Sequence, residues 1–130
     1  MADLKEVFND GTLKIHMQDD AKVLTLHLSG KSIIRDAMDT LLPIFMEQLG
    51  RAQEQGQKLV VDFRSVTYMN SSSFAPVIKV LEKARIGTTA LLVRYNSREK
   101  WQETSFSALT IFQTPDGRIA LNGDGDENGR

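Results

Sequence analysis

The feature that most restricts what this chain can fold into is a change of hydrophobic period part-way along it. Residues 12–30, "TLKIHMQDDAKVLTLHLSG", alternate. Leu13, Ile15 and Met17 share one face, and Leu24, Leu26 and Leu28 share another. Period two marks strands with one buried face. Gln18, Asp19 and Asp20 supply turn residues between them, so the pair reads as an antiparallel hairpin. Residues 38–56, "MDTLLPIFMEQLGRAQEQG", then place Leu42, Phe45, Met46 and Leu49 at i, i+3, i+4 and i+7. That is the apolar stripe of a helix. Pro43 is tolerated only in a first turn, with Asp39 or Thr40 as the expected cap and Gly56 as the expected stop.

The alternation of patterns continues. "KLVVDF" (58–63) is apolar on both faces, as a central strand is, and the chain is expected to leave it through Asp62 into a short polar connection. Phe74, Val77, Ile78 and Leu81 form a second helical stripe running through Arg85, with Pro76 in its first turn. "TTALLVRY" reads as the next buried strand, and "SREKWQETSFSAL" as a helix capped by Ser97. "IFQTPDGRIAL" reads as two short extended pieces about a Pro-Asp-Gly turn. The order β-β-α-β-α-β-α-β, with room for one more edge strand, implies an α/β fold. It would have a mixed sheet of four to six strands, a leading antiparallel hairpin and helices packed on the sheet. With 130 residues and no interior linker, one domain is expected over 1–121. The polar, Gly-rich stretch 122–130 is expected to be a disordered acidic tail. Its "DGDENG" copies only the opening of an EF-hand loop.

Composition removes several classes of function. Sixteen basic residues against seventeen acidic give a net charge of −1, not the basic balance of an electrostatic nucleic-acid binder. Without cysteine there are neither disulfides nor thiolates. His16 and His27, on the polar faces of the hairpin, are too few for a zinc ligand set. No P-loop, GxGxxG or nucleophile elbow occurs. No cofactor, metal or catalytic residue is therefore expected. No apolar run approaches the roughly 18 residues of a membrane span, and the first ten residues lack the core of a signal peptide. A cytoplasmic protein is expected. Trp101 on the last helix reads as partly buried packing, or as an interface marker if exposed.

Three consecutive serines, Ser71, Ser72 and Ser73, stand where a strand hands over to a helix. Serine is a preferred N-cap, contributing about 0.5–2 kcal/mol relative to alanine, but one cap accounts for one serine. A helix N-terminus also suits a phosphoryl group. Phosphorylation there would add about −1.5 to −2 charges at one surface point. Both readings stand on spacing alone.

The run from about Thr12 to Leu121, and "VVDFRSVTYMNSSSFAPVIKVLEKAR" within it, resembles a STAS domain, the fold of bacterial anti-sigma-factor antagonists. In that family an apolar strand, a loop and Met-Asp-Ser-Ser-Gly precede a helix. The matching residues are Met69, Asn70, Ser71, Ser72 and Ser73. The resemblance implies a non-enzymatic protein of a partner-switching pathway with Ser71 as phosphoacceptor, and Ser72 and Thr67 in reserve. It implies a partner serine kinase of anti-sigma type, with a histidine-kinase-like ATP fold, and a PP2C-type phosphatase. The unmodified form would bind and the modified form release. Asn70 and Ser73 depart from the family's Asp and Gly. "YMNSSS" is also similar to bacterial phosphoproteins of partner-switching circuits that control cyclic-di-GMP signalling and biofilm formation. The residues expected to meet a partner are Met69, Asn70, Ser71, Ser72 and Ser73, with Lys79 and Lys83 one turn apart on the following helix. Two other readings remain: a scaffold module of a stressosome-like assembly, and a hydrolase using Ser71.

Overall fold

The computed structural model describes residues 4–123. Six strands form one mixed sheet in the order β1-β2-β3-β4-β5-β6. They are β1 (Leu4–Asn9), β2 (Leu13–Asp20), β3 (Val23–Ser32), β4 (Lys58–Met69), β5 (Leu91–Tyr95) and β6 (Ile119–Gly123). The first three pair antiparallel and the last three join in parallel. Among the described residues four helices occur: α1 (Ala37–Thr40), α2 (Leu42–Gln55), α3 (Phe74–Ile86) and α4 (Lys100–Ser107). A 3-10 turn at Ser71–Ser73 leads into α3, and another at Ala108–Phe112 follows α4. The α/β fold, the leading hairpin and the central strand are as the periodicities imply.

Helices cover one face of the sheet. Leu13, Ile15, Leu24, Leu26, Leu59, Val61, Leu91 and Val93 alternate into it and are buried. Phe106 of α4 is fully buried, its ring 5.0 Å from Phe63, 5.5 Å from Phe74 and 5.4 Å from Tyr95. One aromatic side chain thus ties β4, α3 and β5 to the last helix. On the opposite face Glu6, His16, His27, Asp62, Arg94 and Asn122 line up in register across all six strands.

Several local details differ from the sequence reading. β1 adds an edge strand ahead of the hairpin. The hairpin turn is Ala21–Lys22, since β2 keeps pairing through Asp20. Neither Asp39 nor Thr40 caps α2. They lie in α1, which runs into α2 at Leu41, and Leu41 has no side-chain cap to offer. Pro43 explains the break, because it brings no N–H to the ladder. Gly56 ends α2 with φ 67°, in the left-handed region, as expected of a stop. Ser97 does not cap α4; its hydroxyl donates to Gly123 O at 2.9 Å, and the N-cap residue, Glu99, makes no side-chain cap bond. Ile111 and Phe112 are 3-10 rather than extended, although the Pro-Asp-Gly turn and the strand after it form. Asn122 and Gly123 belong to β6. The remaining residues of the expected tail, from 124 on, lie outside the described residues.

Gly30 has φ +97°, and a Cβ there would stand 2.0 Å from Thr12 O. The close approach lets Lys31 N–H reach Thr12 O at 2.9 Å. It coincides with the register shift that carries β3 on to Ser32 beside Met69.

Candidate functional site

The serine segment sits where β3 and β4, two parallel strands, end together. Ser32 is the register partner of Met69, and Asn70 N–H donates to Ser32 O at 3.0 Å. Carboxyl ends of parallel strands are where α/β sheets gather functional residues. β4 does not leave the sheet after Asp62, as the sequence reading expects. It parts from β5 there but stays paired with β3 to Met69.

Asn70, not a serine, caps the turn. Its Oδ1 accepts from Ser73 N–H at 3.1 Å and from Ser73 Oγ at 2.5 Å. Its Nδ2 donates to Ile34 O at 3.2 Å. Ser73 is fully buried, with its oxygen 2.6 Å from Ser32 Oγ. Because Ser73 gives its proton to Asn70, Ser32 is the donor of that pair. Ser72 Oγ donates to Ile34 O at 2.5 Å. These bonds sew the loop after β3 to the serine turn. Ser71 is exposed, and its hydroxyl is the one of the three outside this network.

The residues expected at a partner surface separate accordingly. Met69 is buried in the core and Ser73 beneath the turn, so both support the surface from below. Asn70 and Ser72 are half-buried. Thr67 is exposed on the β4 extension, its hydroxyl donating to Gly30 O at 3.2 Å. Lys79 and Lys83 are exposed on α3, Lys79 within 3.5 Å of Glu82 Oε1. They continue the outer line of the helix that starts at Ala75, four residues on from Ser71. Sequence reasoning missed the apolar residues beside the turn. Ile33 follows Ser32, Tyr68 precedes Met69, and Met38 lies on α1, which packs against the serine turn. All three are exposed, Ile33 and Tyr68 by about half. They are the large apolar side chains exposed on the segments that adjoin the turn.

The two histidines are elsewhere. His16 Nε2 lies 3.5 Å from Glu6 Oε1; His27 bonds Gln18 Oε1 at 2.9 Å and stands 3.8 Å from Asp62. Asp62 is 6 % exposed and is gripped by Arg64 Nε at 3.0 Å and Nη2 at 2.8 Å. Burial works to raise the Asp62 pKa, but the Arg64 hydrogen bonds and charge outweigh it and hold the carboxyl below its ordinary range. Burial pushes His27 down, and the charges of Arg64 and Arg94 add to that against the pull of Asp62. Neither ring touches a serine, so the geometry forms no Ser-His-Asp arrangement. Trp101 is half-buried on α4, its indole Nε1 enclosed without a partner. Among the described residues no group of three or more His, Asp or Glu side chains is placed to hold a metal ion. Nor is any helix among them long and apolar enough to cross a membrane.

No family model matches the sequence, and no curated protein matches it. The fold has solved counterparts. The structure is similar to the crystal structure of an anti-sigma factor antagonist from Mycobacterium paratuberculosis, with a TM-score of 0.60 over 86 % of this chain and 95 % of that one. At 16 % identity the likeness is one of architecture: the mixed six-stranded sheet, antiparallel start and helical layer are those of an anti-sigma factor antagonist.

Proposed function

We propose that the protein is a bacterial, cytoplasmic regulatory module that binds a protein partner through the turn around Ser71, with phosphorylation of Ser71 releasing the partner. The observation that carries the reading is the division of labour among the serines. Asn70 does the capping, Ser73 and Ser72 hold the turn together, and Ser71 is presented to solvent. A phosphoryl group on Ser71 would add about −1.5 to −2 charges beside Ile33, Met38 and Tyr68 without breaking a bond of the turn. Apolar contact with a partner would then be opposed by a desolvation cost. That is the physics of a release switch with little change of fold. Ser72 is the poorer acceptor, since modification would replace its donated proton at Ile34 O with negative charge. Thr67 would likewise give up its bond to Gly30 O.

The partner fitting this surface is an anti-sigma-like protein with serine kinase activity, with a PP2C-type phosphatase to reset the switch. Asn70 also favours a circuit acting on a diguanylate cyclase pathway. The test is to map phosphate on the protein from its native host by intact-mass and peptide mass spectrometry, under growth and stress. Phosphate on Ser71, and a partner captured by Ser71→Ala but not by Ser71→Asp, is the expected result. Absence of phosphate under every condition, with equal capture by both variants, would leave a constitutive STAS-like scaffold instead.

A further inference from the structure

Gln102 is fully buried on α4, and each of its polar atoms is engaged. Its Oε1 accepts from Asn96 N–H at 2.7 Å, and its Nε2 donates to Phe63 O at 2.9 Å and Val66 O at 2.8 Å. Those partners are not scattered. The last paired residues of β4 and β5 are Asp62 and Arg94. Phe63 is the first residue of β4 beyond that pairing, and Asn96 is the first residue after β5 ends. The carboxamide therefore sits in the fork where the two strands part, matching the donor of one and the acceptor of the other as a peptide group would. Past the fork β3 is the strand that β4 still pairs with among the described residues, and the pairing there is irregular. Val66 O, further along the overhang, is held by the same amide.

We propose that Gln102 is a positioning residue for the serine turn: it splints the β4 overhang, residues 64–69, and so ties the placement of Ser71 to helix α4. The inference rests on Ser71 being the working residue of the site. Buried backbone carbonyls without a donor are costly, so an overhang deprived of Gln102 opens locally rather than staying extended. No other side chain among the described residues bonds Phe63 O or Val66 O. The consequence reaches the turn directly, because Asn70 and Ser71 follow the splinted stretch.

The experiment is hydrogen exchange on the full chain, wild type against Gln102→Glu and Gln102→Met. A carboxylate keeps the acceptor for Asn96 N–H but turns an anion on two carbonyls; methionine keeps the size and removes both functions. Exchange in the segment 64–73, and in the residues 29–32 of β3 paired with it, should quicken by roughly tenfold to a hundredfold, while β2, α2 and residues 23–27 of β3 keep wild-type protection. In Gln102→Glu the excess should shrink as pH falls, after correction for intrinsic rates, because a protonated carboxyl regains one donor. Gln102→Met should show no such recovery. Unchanged exchange at 64–73, acceleration spread evenly over the chain, or unfolding of both variants would overturn the proposal. The readout does not involve phosphate. Local opening in a protein never phosphorylated would sink the switch and leave the splint, whereas phosphate on Ser71 with no local opening would do the reverse.

Discussion

Replacing Asn70 tests the construction of the site most directly. Asn70→Ala removes the acceptor for Ser73 N–H and Ser73 Oγ and the donor to Ile34 O. The cap alone is worth about 0.5–2 kcal/mol. The Ser73 hydroxyl is fully buried, and leaving it short of its acceptor adds about 1–3 kcal/mol. The lower part of that range applies, because Ser32 O lies 3.5 Å away as a poor substitute. The Ile34 carbonyl keeps Ser72 as a donor, so its loss adds little. Together these give about 1.5–4 kcal/mol. Asn70→Asp keeps the acceptor and adds a carboxylate at a helix start, favourable by about 0.3–1 kcal/mol, against one lost bond to Ile34 O. Its net change is within about 1 kcal/mol. Ser71→Ala touches nothing in the network and should fall within about 0.5 kcal/mol. Urea unfolding of the three variants at pH 7, followed by circular dichroism, measures the differences. A Ser71→Ala variant as destabilised as Asn70→Ala would show that serine caps the turn and that the assignment is wrong.

Gly30→Ala should cost about 3 kcal/mol or more, since it combines a left-handed φ with a backbone clash at Thr12 O; an unchanged melting temperature would refute the geometry at that position. Phe106→Ala should lose about 3–5 kcal/mol in chemical denaturation, because three neighbouring rings lose their common contact at once. The His27 pKa is lowered in the fold, so the unfolded chain takes up its proton first as pH falls. Stability from this residue is complete above the unfolded value near 6.5 and declines as pH drops below it toward the folded value. His27→Gln should flatten that part of the curve of urea midpoint against pH; an identical slope in both proteins would exclude His27 as the cause. The Asp62 pKa is also lowered, and its contribution, present above about 3.8, is lost only in stronger acid, separating the two effects on the pH axis.

What could be read in the sequence followed what periodicity encodes. Strands β2 and β3 carry three alternating apolar residues each, helices α2 and α3 carry apolar stripes spanning about two turns, and each formed. β1 has no such signal. It is an edge strand with a register shift between Glu6 and Phe8 that breaks alternation, and Leu4 on it is exposed. The β4 overhang was hidden because its outer residues, Arg64, Ser65, Thr67 and Tyr68, look like a polar connection; only pairing with β3 shows them to be strand. At the serine turn the cap is one residue earlier than the first serine, because Asn and Ser both cap helices and the backbone angle that selects Asn70 over Ser71 is not written in the residue types. Helices α2 and α4 start with no side-chain cap bond. Gln102 was illegible in a stronger sense. A glutamine on a short helix reads as solvated surface, and its burial follows from backbone groups left free where the neighbouring strands β4 and β5 part.

Ser73 shows how a departure from a family pattern can be resolved only in three dimensions. A glycine at that place suggests either a left-handed backbone or a close approach. The backbone at Ser73 is right-handed helical, φ −73° and ψ −17°, so no conformational demand for glycine exists in this chain. The space beside it is filled by the hydroxyl of Ser32, which donates to the Ser73 oxygen, while Ser73 donates to Asn70. An aspartate at position 70 could accept the same proton, but it could not also donate to Ile34 O as the Asn70 amide does. Ser32, Asn70 and Ser73 therefore form one directional chain of donors and acceptors ending at the loop after β3. Asn70 and Ser73, the two departures from the motif the sequence resembles, are a single coupled arrangement, and it leaves Ser71 facing solvent.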